Sequence, residues 1–239
     1  MNIVLLMMGG SGTRFGSSIP KQFIKINDIP IFVYLLNVYD KIDEIDHIVI
    51  VSNNRYIDLV KDWVNILKIN KVISICSGGE NRNASIMNGL EEVKKIDNNA
   101  NVLIHDATHP YVDKGGVIKV IEAINDCGAA TLVQGNYDTV YKIEDEIIEE
   151  VLDRKKIVSG ASPEGFKFDL IYNIYKNSTK DELDKMTSAG AVAINNGIKM
   201  KTIETDLLNL KITFKRDLEL YKKLINGYYF SEEEDINEK

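Results

Sequence analysis

Residues Gly9 to Phe23 read GGSGTRFGSSIPKQF and set four glycines, Arg14 and Lys21 directly behind the apolar run NIVLLMM. A strand ending in a glycine-rich turn offers backbone N–H groups to an anion, and glycine lets that backbone approach a phosphate closely. A P-loop needs G-x-x-x-x-G-K-[ST], and the chain has no such string. A dinucleotide fingerprint needs G-x-G-x-x-G opening a helix and an acidic residue closing the second strand. Here Gly10, Gly12 and Gly16 are spaced one residue too wide, Pro20 interrupts a helix start, and the second strand ends near Val51-Ser52. The remaining chemistry gives Arg14 and Lys21 the neutralisation of a triphosphate wrapped by Gly9, Gly10 and Gly12, as in-line transfer at an α-phosphorus requires. Taken alone, the loop is also compatible with a tight turn flanked by two solvated cations.

Four further segments add chemistry. SGGENRNASIMNGL repeats a glycine pair, Gly78-Gly79, behind a strand, with Arg82 and Ser85 where a helix begins, donors suited to a base edge. VLIHDATHP ends a strand in Asp106, at the carboxyl edge where open α/β sheets bind ligands, and one carboxylate there can hold Mg²⁺ through water. His105 and His109 lack a third ligand at recognisable spacing, which favours turn and packing roles. LNLKITFKRDLEL reads as a β-like run carrying Lys211, a further cation for the same edge, while Asp138, Thr139 and Arg154 supply a hydroxyl and a guanidinium suited to gripping an anion.

The elements that must position these groups follow the rhythm of a parallel sheet covered by helices. Strands are predicted at Ile3–Met7, His47–Val51, Lys71–Ile75, Val102–His105 and Ala130–Val133. Helical stripes fall on Ile31, Leu35, Val38, Tyr39 and Ile42, and on Tyr56, Leu59, Val60, Trp63, Ile66 and Leu67. Two more run through Ile86, Leu90, Val93 and Ile96, and through Val117, Val120, Ile121 and Ile124. Thr139–Ile143 and Ile147–Leu152 flank the acidic turn Glu144-Asp145-Glu146 as a hairpin with too little apolar content for its own core, so it needs something to pack against. Helical rhythm returns at Phe168–Tyr175, Ala189–Asn195 and Arg216–Ile225, with a strand at Lys199–Ile203 between the last two. This organisation is one domain over 1–228, with an arm at about 134–160, and an acidic tail at 229–239.

At 239 residues the chain can bury a substantial core, and its net charge of −7 excludes a general nucleic-acid surface. Cys76 and Cys127 have neither metal-ligand spacing nor disulfide density and read as reduced core thiols. No signal-peptide pattern or membrane-length apolar run is present, so the expected setting is cytoplasmic with no membrane partner.

In order, GGSGTRFG…PKQ, GGENRNAS…NGL, HDATHP, DT…DR and NLKIT resemble the motifs of the CTP-dependent polyol-phosphate cytidylyltransferases, the 2-C-methyl-D-erythritol 4-phosphate and D-ribitol 5-phosphate enzymes, over about residues 2–226. The resemblance implies a three-layer α/β/α nucleotidyltransferase fold with a mostly parallel sheet and a protruding β-hairpin dimerisation arm. It implies Mg²⁺, CTP as substrate, and a homodimer in which each arm reaches the other subunit's site. Carried onto matching positions, Arg14, Lys21 and Lys211 form the cationic wall of the reaction, and Gly9, Gly10, Gly12, Gly78, Gly79, Arg82 and Ser85 shape the nucleotide site. Asp106 then serves ribose and metal, and Thr139, Arg154, His109 and Thr187 face the acceptor.

Departures from the family pattern cluster on the acceptor side. Met7-Met8 replaces Ala or Leu-Ala ahead of the glycines. His109 stands for an arginine, exchanging a permanent bidentate cation for a weak titratable one. Ala161-Ser162-Pro163-Glu164 replaces Q-T-P-Q, Thr187-Ser188 replaces T-D, and Ile194 takes a Glu position. On these grounds the expected reaction is transfer of CMP from CTP to a ribitol 5-phosphate-like acceptor for surface-glycan synthesis. The alternatives are 2-C-methyl-D-erythritol 4-phosphate as acceptor in isoprenoid synthesis and, from another class, an inactive nucleotide-binding regulatory protein.

Overall fold

The computed structural model describes residues 1–10 and 19–230, with side chains as far as Ile225. Strand β1 (Asn2–Met8) leads through a 3-10 turn at Lys21–Phe23 and a small ribbon, β2 (Lys25–Ile26) and β3 (Ile29–Pro30), into α1 (Ile31–Asp40). Then come β4 (His47–Ser52), α2 (Ile57–Leu67), β5 (Val72–Ser77), α3 (Arg82–Ile96), β6 (Asn101–Asp106), α4 (Lys114–Cys127) and β7 (Ala129–Gly135). The hairpin β8 (Val140–Glu144) and β9 (Ile147–Leu152) precedes β10 (Val158–Lys167), α5 (Phe168–Asn177), α6 (Lys180–Asp184), α7 (Ala189–Asn195), β11 (Lys201–Glu204) and α8 (Lys215–Phe230).

Seven strands form one sheet in the order β11-β7-β10-β6-β1-β4-β5, parallel throughout except for β10, which runs antiparallel to both neighbours. The near-continuous apolar run of β1 follows from burial on both faces. Val4, Leu6 and Met8 pack with α1, α2 and α4, whereas Ile3, Leu5 and Met7 pack with α3, α5 and α7. The Met7-Met8 lead-in is therefore core, one sulfur to each layer. Each such side chain contributes about 1.5–3 kcal/mol relative to exposure, so the strand ends that carry the site rest on a rigid base. A third cluster joins Tyr34 of α1 to Tyr111, Leu218, Tyr221 and Ile225 and pins α8 against α1.

The chain runs outward from β1 through β4 to β5 and then returns to β6 on the other side of β1. That reversal makes the carboxyl ends of β1 and β6 a topological switch point, the place where open α/β sheets hold ligands. In register, Met7 lies beside Asp106, and Ala107 N–H donates to the Met7 carbonyl at 3.0 Å.

The strands predicted as such, and both strands of the hairpin, recur within a few residues of their expected bounds, but β10 is not among them. The NLKIT segment is irregular rather than a strand, so Lys211 is held by a coil segment whose Ile212 N–H donates to the Thr108 carbonyl at 2.8 Å. Ile66 points outward from α2, 66% exposed, leaving Val60 and the partly buried Leu59, Trp63, Val64 and Leu67 as its packing face. Cys127 is exposed rather than a core thiol, its sulfur near the Ala123 carbonyl, while Cys76 is half-buried. Within the hairpin, Tyr141 faces Val151 and Ile143 faces Ile148 across the strands, and all four side chains are at least 49% exposed. Asp145 and Glu146 close it with positive φ, as a two-residue hairpin turn requires. Among the described residues no helix is long and apolar enough to cross a membrane.

Candidate active site

Gly9 and Gly10 leave β1 at the switch point, and a cleft of about 420 Å³ opens there, lined by Met7, Gly9, Gly10, Asn53, Gly79, Glu80, Asn81, Arg82, Ser85 and Asp106. Two glycine turns, some seventy positions apart in sequence, meet at its floor. A Cβ on Gly78 would lie 3.0 Å from the Gly9 Cα and 3.0 Å from the Ser85 Oγ, so glycine there lets the two backbones approach without pushing either aside. Ser85 Oγ accepts from Gly79 N–H at 3.0 Å and donates to the Asn81 carbonyl at 2.8 Å, tying the second turn to α3. Asn81 is the N-cap of α3 through Ala84 N–H, which leaves the positive end of a 15-residue helix beside the cleft.

Gln22, the last residue of the PKQ motif, clamps the first turn. Its buried amide donates to the Met8 carbonyl at 2.7 Å and to the Gly10 carbonyl at 2.9 Å, fixing where the glycine loop departs. Phe23 anchors the same turn by stacking on Tyr56, 4.1 Å between ring centroids. Lys21 opens this 3-10 turn with a buried side chain and helps hold Asp217 ionised, behind two backbone hydrogen bonds that do most of that work. Arg14 and Gly12 lie outside the described residues.

Asp106 Oδ1 accepts from Thr108 Oγ1 at 3.0 Å, and its Oδ2 pairs with Lys211 Nζ at 3.3 Å. Burial pushes its carboxyl upward, but Lys211, Arg82 and His109 outweigh that and hold it at about 2, so it is a carboxylate at any working pH. It is suited to a divalent cation whose other ligands are water and phosphate oxygens. Among the described residues no three His, Cys, Asp or Glu side chains cluster as a protein-only metal site.

The two histidines part company. His105 is fully buried, and its ring joins the Tyr39 hydroxyl at 2.7 Å to the His109 carbonyl at 2.9 Å. Since a carbonyl only accepts, Nε2 carries the proton and Nδ1 accepts from Tyr39. His109 hydrogen-bonds Asn209 through its ring. Desolvation pushes both imidazoles down to about 4, with Lys211 adding to the effect on His109. His109 is therefore neutral near pH 7, a hydrogen-bonding group and not the weak cation read from the sequence.

Histidines depressed from about 6.5 to about 4 favour the folded state fully above pH 6.5, and that contribution is lost as pH falls towards 4. Urea midpoints should fall across this window. Two of the chain's three histidines should titrate near pH 4 by NMR, and ordinary titration of both near 6.5 would contradict the packing.

On the acceptor side, Thr187 is exposed just ahead of α7, and its carbonyl accepts from Arg82 Nη1 at 3.3 Å. Ser188 is the N-cap of α7, its Oγ accepting from Ala191 N–H at 3.0 Å, a part for which aspartate is equally suited. Glu164, standing for a family Gln, accepts from Ala189 N–H at 3.1 Å and Gly190 N–H at 3.0 Å. Ser188→Ala should cost about 1 kcal/mol, about 2–4 °C in Tm, whereas Ser188→Asp should leave Tm nearly unchanged. Equal melting of all three proteins would remove the cap from the account.

Ile194 is 62% exposed and has no place in the cleft. Thr139 and Arg154 are exposed on the arm and do not line the cleft; the Arg154 guanidinium donates to the Tyr137 carbonyl. The single chain therefore gathers Gly9, Gly10, Gly78, Gly79, Arg82, Ser85, Asp106 and Lys211, with Lys21 at the root of the loop. It leaves the two arm residues apart.

Known proteins match over almost the whole chain. The family model described as 2-C-methyl-D-erythritol 4-phosphate cytidylyltransferase matches residues 2–226. Proteins of that name from Clostridium botulinum and Thermotoga neapolitana are 34% and 33% identical, covering 94% and 92% of this chain and 97% and 95% of their own. The crystal structure of the Francisella tularensis enzyme of that name superposes with a TM-score of 0.74 at 26% identity, over 93% of this chain and 99% of that one. A synthase structure from Anaerococcus prevotii, at 22% identity and a TM-score of 0.78 over 94% and 96% of the two chains, shares the fold.

Proposed function

We propose that this chain, which belongs to the 2-C-methyl-D-erythritol 4-phosphate cytidylyltransferase family, transfers CMP from CTP to 2-C-methyl-D-erythritol 4-phosphate with release of pyrophosphate. As a member it is a nucleotidyltransferase, and the non-catalytic alternative falls away. The relatives favour this acceptor over ribitol 5-phosphate, reversing the preference drawn from the sequence. The departures behind that preference lose their weight in the fold. Ser188 still caps α7, Glu164 holds the same helix start, and Met7-Met8 is core.

The observation that carries the reading is the ionised Asp106 beside Lys211, across a cleft floored by the Gly9–Gly78 contact and facing the α3 N-terminus. CTP would lie with its base against Gly78, Gly79, Arg82 and Ser85 and its triphosphate along Gly9, Gly10, Gly12, Arg14 and Lys21. Mg²⁺, held by Asp106 together with nucleotide oxygens, would offset negative charge at the phosphates. The acceptor phosphate, with a second pKa near about 6, is largely dianionic at neutral pH and attacks without a base. Its oxygen bonds to the α-phosphorus while the bond from that phosphorus to the α–β bridging oxygen breaks, and pyrophosphate departs with the electron pair. Arg14, Lys21 and Lys211 stabilise charge that builds during this exchange. His109 and Thr187 offer hydrogen bonds to the acceptor. The same reading makes residues 1–228 one catalytic unit and the cytoplasm, where CTP is supplied, its place of work.

The exposed apolar face of the arm supports a homodimer, in which Thr139 and Arg154 of one subunit reach the acceptor in the other. Arg154→Ala should then raise the acceptor KM about tenfold or more while CTP binding holds. Mixed with a dead Lys21→Ala variant, it should regain part of its activity through one intact hybrid site, and mixtures no more active than their parents would contradict the shared site. The reaction itself is tested by pyrophosphate release across acceptors. We expect kcat/KM for 2-C-methyl-D-erythritol 4-phosphate at least about 100-fold above that for ribitol 5-phosphate, and the reverse order would overturn the assignment.

A further inference from the structure

The first turn of α3 is bolted to a segment a hundred residues away. Asn83 is buried, and its amide donates to the Leu183 carbonyl at 2.5 Å and the Met186 carbonyl at 3.3 Å while accepting from the Tyr175 hydroxyl at 2.9 Å. Around it, Asn81 Nδ2 donates to Asp184 Oδ1 at 2.6 Å, Lys180 pairs with Glu80, and Arg82 holds the Thr187 carbonyl at 3.3 Å. The neighbouring contacts involve exposed side chains and are weak singly. Asn83 differs because it is buried and its one amide reaches two backbone carbonyls of the segment, so its removal breaks both links at once.

We propose that Asn83 is a positioning residue that fixes the 183–187 segment to the nucleotide-binding turn of α3 and thereby couples the nucleotide cleft to the acceptor side. The inference rests on the reading above, in which Arg82 faces the nucleotide and Thr187 the acceptor. Asn83 itself does not line the cleft, so it acts through what it holds. Order imposed on α3 by CTP reaches Thr187 through the shared hydrogen bonds, and linkage requires the effect to run both ways.

Amide hydrogen exchange with and without CTP tests the coupling independently of any acceptor. In the wild-type protein CTP should slow exchange over both 78–86 and 183–191. In Asn83→Ala it should slow 78–86 alone, and Tyr175→Phe, which removes one hydroxyl, should fall between. With 2-C-methyl-D-erythritol 4-phosphate, Asn83→Ala should raise the acceptor KM about tenfold while the CTP Kd moves by less than about twofold. Protection of 183–191 that survives in Asn83→Ala, or KM and Kd rising together, would overturn the proposal. Should Asn83→Ala fail to fold, Tyr175→Phe carries the same comparison with a smaller expected split. Absence of turnover with that acceptor would count against the acceptor assignment and not against the clasp, which the exchange data decide alone.

Discussion

Lys21→Ala should lower kcat by about 10²–10³-fold while the far-UV circular dichroism stays that of the wild type. Lys21 sits at the root of the glycine loop in a 3-10 turn that Gln22 and Phe23 anchor independently, so loss of the charge need not move the loop. A cation that stabilises charge growing at the phosphates acts on the transition state more than on bound CTP. The CTP Kd should therefore change much less than kcat. Turnover within a few-fold of wild type would remove Lys21 from the mechanism. A large rise in CTP Kd with normal kcat would make it a binding group only.

Asp106→Asn is the second large effect, with an expected loss of about 10² in kcat/KM. The change keeps shape and removes the charge that Lys211 and Arg82 are arranged around. Two cations would then face each other across a neutral amide, and a divalent cation would lose its only candidate carboxylate on β6. Because the carboxyl sits at about 2, the wild-type rate should show no acid limb from Asp106 above about pH 4. Titrating Mg²⁺ separates the contributions: the variant should need a higher concentration for half-maximal rate. An unchanged Mg²⁺ requirement with unchanged kcat/KM would remove Asp106 from both roles.

How much of this was legible in the chain depends on the range over which each feature is encoded. Gly9-Gly10, Gly78-Gly79 and Asp106 each follow a short apolar run, and a period-two or continuous apolar pattern ending in such residues marks the carboxyl edge of a sheet locally. Strand β10 is local in sequence but hidden, because Gly160, Pro163 and Gly165 read as breakers. In the fold, Pro163 lies between Gly160 and Glu164, where the register with β7 shifts. A Cβ on Gly165 would come within 2.5 Å of Ile124, so glycine there is what lets α4 close on the strand.

The acceptor side was read least well, and for a physical reason. Its geometry is set by hydrogen bonds between residues a hundred positions apart, as in Asn83 to Leu183, or twenty-five apart, as in Glu164 to Ala189. A serine where an aspartate is expected looks like lost chemistry in one dimension and still supplies a helix cap in three. His109 erred the same way, since only burial and the nearby Lys211 tell a neutral imidazole from a cation.

In the proposed reaction an oxygen of the acceptor phosphate displaces pyrophosphate at the α-phosphorus of CTP in the cleft at the carboxyl ends of β1 and β6. The direct measurement supplies CTP and 2-C-methyl-D-erythritol 4-phosphate labelled with ¹⁸O at the phosphate, then weighs both products. The account predicts a cytidine diphosphate ester that retains every labelled oxygen, and pyrophosphate that carries none. Release of CDP with a labelled acceptor diphosphate, or no product from this acceptor while another yields one, would contradict it.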